Sequence, residues 1–231
     1  MSMATPSDER AASGNPEAEE RIQFMLRLRA RGIRDLRLLR ALERAPRALF
    51  MPQRYADVAA RDIALPIGGG QTSPPPSVVA AMIEALDPPP RGRVLEVGAG
   101  SGYATALLAQ LCGEVVSLER RRTLALEAAA RLSAFGVENV RVEWADALAY
   151  DPGPARFEAI LVHAAVESPP TRLLALLAEG GALAAVVAGE RAADQRIVRW
   201  VRRPGRDVFE ASGRGSVRGF RPLAPGLAGG D

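Results

Sequence analysis

The run Val94-Leu95-Glu96-Val97-Gly98-Ala99-Gly100-Ser101-Gly102 constrains this chain more than any other segment. Four residues suited to a buried strand feed a turn with three glycines, and apolar residues at helical spacing continue to Leu111. Glycines open backbone conformations that side chains close, and they let a ligand press against the main chain. The helix that follows starts with N–H groups that have no partner inside it. A strand, a glycine turn and a helix in that order imply a parallel sheet whose two faces are covered by helices.

The alternation continues downstream. Strands are expected over 114–118, 140–144, 157–163 and 182–188, with a helix over 121–135 ending at Gly136 and a short one over 173–177. Gly180-Gly181 reads as a turn. Residues 196–201 and 208–218 read as a terminal hairpin around Pro204-Gly205. Upstream, 21–49 reads as two helices. Ile22, Met25 and Leu26 lie on the first, and Leu36, Leu39 and Leu42 share one face of the second, which Asp35 caps. Residues 62–77, DIALPIGGGQTSPPPS, are expected to be an irregular site loop. The expected fold is therefore α/β, a doubly wound, mostly parallel sheet with extra N-terminal helices and a C-terminal hairpin. One domain spans 21–223: helices and substrate loop over 21–90, the binding core over 91–190, C-terminal strands over 191–223. The polar, acidic stretch 1–20 reads as a disordered tail without a signal peptide, and 224–231 as a loose end.

Composition removes several chemistries. All 30 basic residues are Arg, so no mechanism that needs a lysine is available. Cys112 and His163 are the single residues of their kinds, which excludes an intrachain disulfide and a Cys/His zinc cluster. Of 231 residues, 48% are hydrophobic, too many for a disordered chain, yet no run is long enough to span a membrane. The pI of about 9.7 comes with a net charge of only +3, so neither a nucleic-acid nor a membrane partner is expected. With no targeting signal and no disulfide, a cytoplasmic protein is expected.

The glycine spacing is G-x-G-x-G. The dinucleotide pattern G-x-G-x-x-G would need a glycine where Tyr103 stands. Glu96, two residues before the first glycine, opposes a pyrophosphate and suits a cationic ligand. Glu119 closes the next strand, placed to accept hydrogen bonds from ribose hydroxyls, and Asp146 closes the one after, placed to accept from an adenine amine. An adenosine-bearing cation across the C-terminal edge of a parallel sheet fits these positions. This resembles the class I S-adenosylmethionine (AdoMet) methyltransferase pattern. The candidate cofactor residues are Glu96, Gly98, Ala99, Gly100 and Gly102 on the first strand and loop. Glu119, Asp146, Ala147 and Gln71 complete the set. S-adenosylhomocysteine (AdoHcy) is the expected product.

A longer run of matches narrows the resemblance: Arg31-Gly32-Ile33-Arg34-Asp35, Pro46-Arg47-Ala48-Leu49-Phe50-Met51-Pro52, Tyr55, Asp62, Leu65-Pro66-Ile67-Gly68 and Gly70-Gln71-Thr72. Over about 21–200, with an echo at Phe220-Arg221-Pro222-Leu223, the chain resembles the protein-L-isoaspartate O-methyltransferase family. The resemblance implies methylation of the α-carboxylate of L-isoaspartyl residues in damaged peptides. The ester then collapses to a succinimide that reopens partly to aspartate. The family usually continues Gly-Gln-Thr-Ile-Ser-x-Pro, with the serine hydroxyl beside the reacting carboxylate. Here the chain reads Gly70-Gln71-Thr72-Ser73-Pro74-Pro75-Pro76, so Pro74 stands in the serine position. Ser73 and Thr72 become the candidate catalytic hydroxyls. A carboxylate acceptor is already ionised at neutral pH, so it needs orientation rather than a base. His163 ends the fourth strand of the core, where the family more often has a small or hydroxyl residue. It can be structural, a carboxylate contact, or a base for another acceptor. A related enzyme with a different acceptor and an AdoMet-binding protein without activity are the alternative readings.

Overall fold

The computed structural model describes residues 16–191, 194–205 and 209–228. The central sheet has seven strands in the order β5-β4-β3-β6-β7-β8-β9. These are β3 (Arg93–Val97), β4 (Glu114–Glu119), β5 (Val140–Trp144), β6 (Phe157–Val166), β7 (Leu177–Ala188), β8 (Gln195–Arg202) and β9 (Phe209–Val217). The first five of these are parallel to one another, and β8 and β9 run antiparallel at one edge. The doubly wound sheet and the C-terminal hairpin expected from the sequence are both present. Residues 206–208, in the expected turn, lie outside the described residues.

The chain lays down β3, β4 and β5 outward, then crosses back to place β6 on the other side of β3. A crevice therefore opens between the loops that leave β3 and β6. The strands there are apolar throughout because both faces are buried. Along β6, Ala159 and Leu161 pack on one side and Ile160 and Val162 on the other, all fully buried. Helices α4 (Tyr103–Ala109) and α5 (Arg122–Phe135) follow β3 and β4, and α5 stops at Gly136 with a left-handed φ of 84°.

The N-terminal layer is α1 (Pro16–Ala30), α2 (Leu36–Arg44) and α3 (Pro76–Leu86). Residues 16–20, expected in the tail, belong to α1; residues 1–15 lie outside the described residues. The side chain of Asp35 accepts from Arg37 N at 2.8 Å, the expected cap. The apolar face of α2 differs from expectation. Leu38, Leu39, Ala41 and Leu42 are buried while Leu36 is 57% exposed. On α1, Leu28 is buried and Phe24 and Met25 pack against the core, whereas Ile22 and Leu26 are exposed.

The segment 62–77 is more regular than expected. Leu65–Gly68 (β1) and Gln71–Ser73 (β2) form an antiparallel hairpin turned at Gly69-Gly70, and Pro76 opens α3. The glycines make the turn, with φ of 53° and 66°, and the prolines stop the strand rather than stiffening a coil. Arg47 holds this hairpin. Its Nη1 donates to the carbonyls of Ala59 and Ile63 at 3.2 and 3.1 Å, and its Nη2 to those of Ser73 and Pro74 at 3.1 and 2.9 Å. Burial pushes the guanidinium down to about 10, still charged at neutral pH.

Removing that guanidinium leaves buried carbonyls unpaired. Arg47→Leu should lower stability by about 3 kcal/mol, seen as a fall of roughly 6–12 °C in melting temperature. An unchanged melt would contradict the anchoring role. Cys112 is buried and its thiol lies 2.9 Å from Leu108 O; burial, then the nearby Glu96, pushes it up to about 12. A disulfide reagent should therefore leave native protein unmodified and label one thiol per chain in denaturant. Rapid labelling of the native protein would refute that burial.

Candidate active site

A cavity of about 490 Å³ sits at the crevice, above the C-terminal ends of β3, β4 and β6. Its floor is the glycine loop. Gly98, Gly100 and Gly102 have φ of 94°, 54° and 88°, all in the left-handed region. The N–H groups of Gly98 and Ala99 donate to Leu118 O at 2.8 and 3.2 Å, which ties the loop to β4. Glu119 completes the clamp. Its Oε2 accepts from Gly100 N at 3.0 Å and its Oε1 from Arg121 N at 2.9 Å. Each oxygen keeps acceptor capacity toward the cavity it lines.

The residues singled out from the sequence do not all reach the cavity. Gly98, Ala99, Gly100, Glu119, Asp146, Ala147, Gln71, Thr72 and Ser73 line it. Gly102 does not; it sits under the loop, where a Cβ would meet Ala128 O and Leu132 Cγ at 3.4 Å, so its role is close packing of the loop on α5. Glu96 also lies off the cavity surface, which corrects the expected direct contact with a ligand. It is completely buried, and Oε2 accepts from Thr105 Oγ1 at 2.5 Å and Ser117 Oγ at 2.6 Å. Its Oε1 lies 3.1 Å from His163 Nε2, so Glu96 reaches the cavity only through that imidazole.

Asp146 is engaged as well. Oδ1 accepts from Leu148 N at 2.9 Å and Oδ2 from Gly226 N at 2.6 Å. The second bond belongs to a C-terminal strap that corrects the expected loose end, at least as far as residue 228. Arg221 O accepts from Ala165 N, Leu223 N donates to Ala165 O, and Ala228 N donates to Arg120 O. The Arg120 side chain in turn donates to the carbonyls of Pro225 and Gly226. The segment 218–224 forms one wall of the cavity.

The opposite wall is the β1–β2 hairpin with Pro74 and Pro75. Ser73 is 4% exposed and its hydroxyl oxygen accepts from Arg47 Nη2 at 3.3 Å, leaving its own hydrogen free to donate. Thr72 is exposed on the same wall. Sequence reasoning passed over three features of the site. Arg47 lies in a run of exposed arginines and carries no local signature of burial. The strap carries no secondary-structure pattern. The ring of Tyr103, read only as a missing glycine, is 2% exposed against Phe50 and lines the cavity.

The arrangement fits AdoMet. Left-handed glycines leave room against the loop, since a Cβ at Gly100 would already meet Ile67 Cδ1 at 3.2 Å. The carboxylate of Glu119 suits the ribose diol, and Asp146 with Ala147 suits the adenine edge.

Comparison with known proteins agrees with this geometry. Residues 19–218 match the family model described as protein-L-isoaspartate(D-aspartate) O-methyltransferase. The protein-L-isoaspartate O-methyltransferase of Rhodopseudomonas palustris strain BisA53 is 44% identical, over 90% of this chain and 95% of its own. That of Dinoroseobacter shibae is 41% identical, over 93% and 97%. Among solved structures, the Plasmodium falciparum beta-aspartate methyltransferase in complex with AdoHcy superposes with a TM-score of 0.74 at 21% identity, covering 87% of this chain and 97% of that one. The match spans the N-terminal helices, the glycine loop and the sheet alike, and the chain belongs to the protein-L-isoaspartate(D-aspartate) O-methyltransferase family.

Proposed function

We propose that this chain is an AdoMet-dependent O-methyltransferase that esterifies the carboxylate of L-isoaspartyl residues in damaged proteins and peptides. The observation that carries the reading is one cavity whose floor is the Glu119-clamped glycine loop and whose wall is the hairpin 71–75. Family membership supplies the acceptor class.

Gly98, Ala99 and Gly100 would hold the methionine part, Glu119 the ribose, and Asp146 with Ala147 the adenine. Gln71, which lines the cavity on the hairpin wall, would meet the cofactor from that side. Bound there, AdoMet supplies a methyl group on a sulfonium, which an anionic oxygen takes by direct displacement. The residues of the chain have three tasks. The clamp fixes the loop, the hairpin and strap exclude water, and hydroxyls on the hairpin orient the incoming carboxylate. Ser73, whose hydroxyl oxygen is held by Arg47, and Thr72, exposed on the same wall, are the two candidate donors toward the acceptor. No base is needed because a carboxylate arrives ionised, and the rate comes from proximity and alignment. Pro74 contributes no donor, so the orienting hydroxyls are one residue or two earlier than the family pattern.

The enzyme acts on peptide chains in the cytoplasm. No helix among the described residues is long and apolar enough to cross a membrane.

Incubation with methyl-labelled AdoMet and an isoaspartyl peptide should give a base-labile methyl ester, and the matched aspartyl peptide should not. Label on the aspartyl peptide or on a small molecule would overturn the acceptor assignment. Glu119→Ala should weaken AdoHcy binding about 5- to 150-fold by calorimetry, the loss of charge-assisted hydrogen bonds to the ribose. Unchanged affinity would remove Glu119 from the ribose.

A further inference from the structure

We infer that His163 receives the acceptor carboxylate, presenting Nδ1–H to it while Glu96 holds the ring from behind. This rests on the proposed carboxyl methylation and names the group that orients its substrate.

His163 is not placed by a regular strand. The pairing of β6 with β7 slips between Val162 and Ala165, so His163 and Ala164 form a bulge opposite a single step of β7. A bulge re-aims the side chain it carries, and this one sits at the lip of the cavity, which both residues line. The glycine loop packs directly against it, since a Cβ at Gly98 would meet His163 Cβ at 3.4 Å. The ring is therefore adjacent to the loop expected to hold the methyl donor.

The two ring nitrogens are in different situations. Nε2 lies 3.1 Å from Glu96 Oε1, and the imidazole side chain is 7% exposed. A carboxylate accepts only, so Nε2 carries the hydrogen. Nδ1 is buried and has no hydrogen-bond partner among the described residues. Such a nitrogen is unfavourable in a folded protein unless a ligand completes it. Glu96 itself is fully enclosed and held by Thr105, Ser117 and His163, so its charge cannot turn toward the cavity. Its remaining influence runs through the ring, which makes Glu96 a positioning residue.

To receive an anion at Nδ1 the ring must carry a hydrogen on each nitrogen, one toward Glu96 and one toward the acceptor. No proton changes hands in the reaction. The O–CH3 bond forms as the S–CH3 bond breaks, its electron pair leaving with sulfur so that carboxylate and sulfonium both become neutral, and the ring keeps its hydrogens. Other charges face this space: Glu119 at the end of β4 with Arg120 and Arg121 just beyond it, Asp146 just beyond β5, and Arg218 and Arg221 from the strap, while Glu96 lies behind the ring. The arginines favour the anionic acceptor, while Glu119 and Asp146 are already held by backbone N–H groups.

Because the chain has one histidine, a single imidazole signal in the NMR spectrum of untagged protein reports on His163 without assignment. With AdoHcy present, an isoaspartyl peptide should shift that signal saturably and move its titration to higher pH; the aspartyl peptide should not. The parent's kcat/KM for the peptide should fall on the alkaline side; His163→Gln should abolish that fall, raise KM for the peptide about 10- to 150-fold and leave AdoHcy affinity within twofold. A signal unmoved at saturating peptide would overturn the inference whether or not the variant folds. A variant with parental KM and pH profile would do the same. A peptide-dependent shift without turnover would leave His163 assigned and refute the methylation reading instead.

Discussion

The structure depends on a clamp between two neighbouring strands. Where β3 ends, three left-handed glycines turn the chain, and such a turn would be mobile if nothing held it. The backbone of β4 and the carboxylate of Glu119 hold it. Leu118 O accepts two loop N–H groups and Glu119 a third, from Gly100, while the Arg121 N–H steadies the Glu119 carboxylate. Each bond is modest in net energy, yet together they fix the floor of the cavity before any ligand arrives. Helix α4 starts from that floor, and Gly102 lets α5 close beneath it.

Three acids end or nearly end successive parallel strands, and depth separates their roles. Glu96 is fully enclosed, balanced by two hydroxyls and an imidazole, and communicates with the cavity through His163. Glu119 lies in the wall, with both oxygens pinned but open on one side. Asp146 lies at the rim, where the C-terminal strap bonds to it through Gly226. Acidic residues at or near the ends of neighbouring strands thus serve interior charge balance, ligand binding and closure.

The sheet and the cofactor side were legible because both rest on local rules. Parallel strands buried on both faces read as apolar runs, and a glycine turn before a helix reads as a ligand loop. The acceptor side was less legible because it is assembled from distant segments. Nothing near Arg47 indicates that its guanidinium binds carbonyls 12 to 27 residues away. The strap at 218–228 has no periodicity, and its hold on Ala165 and Arg120 is long-range. Tertiary context also overrode local reading in the hairpin. Gly69-Gly70 turns two short strands in a stretch whose prolines suggested only coil. Glu96 illustrates the limit of a sequence motif: the position was correct and its direction, into the core, was not.

Pro74 and His163 belong together in this account. One wall of the cavity has Pro74, where the family resemblance implies a serine, and the lip carries an imidazole on a bulge. The most direct measurement is a crystal structure with AdoHcy and an isoaspartyl peptide. The account predicts the thioether sulfur above Gly98 and Gly100, with the peptide carboxylate about 2.8 Å from His163 Nδ1 and near the Ser73 hydroxyl. A carboxylate held elsewhere, with Nδ1 still unpartnered, would contradict it.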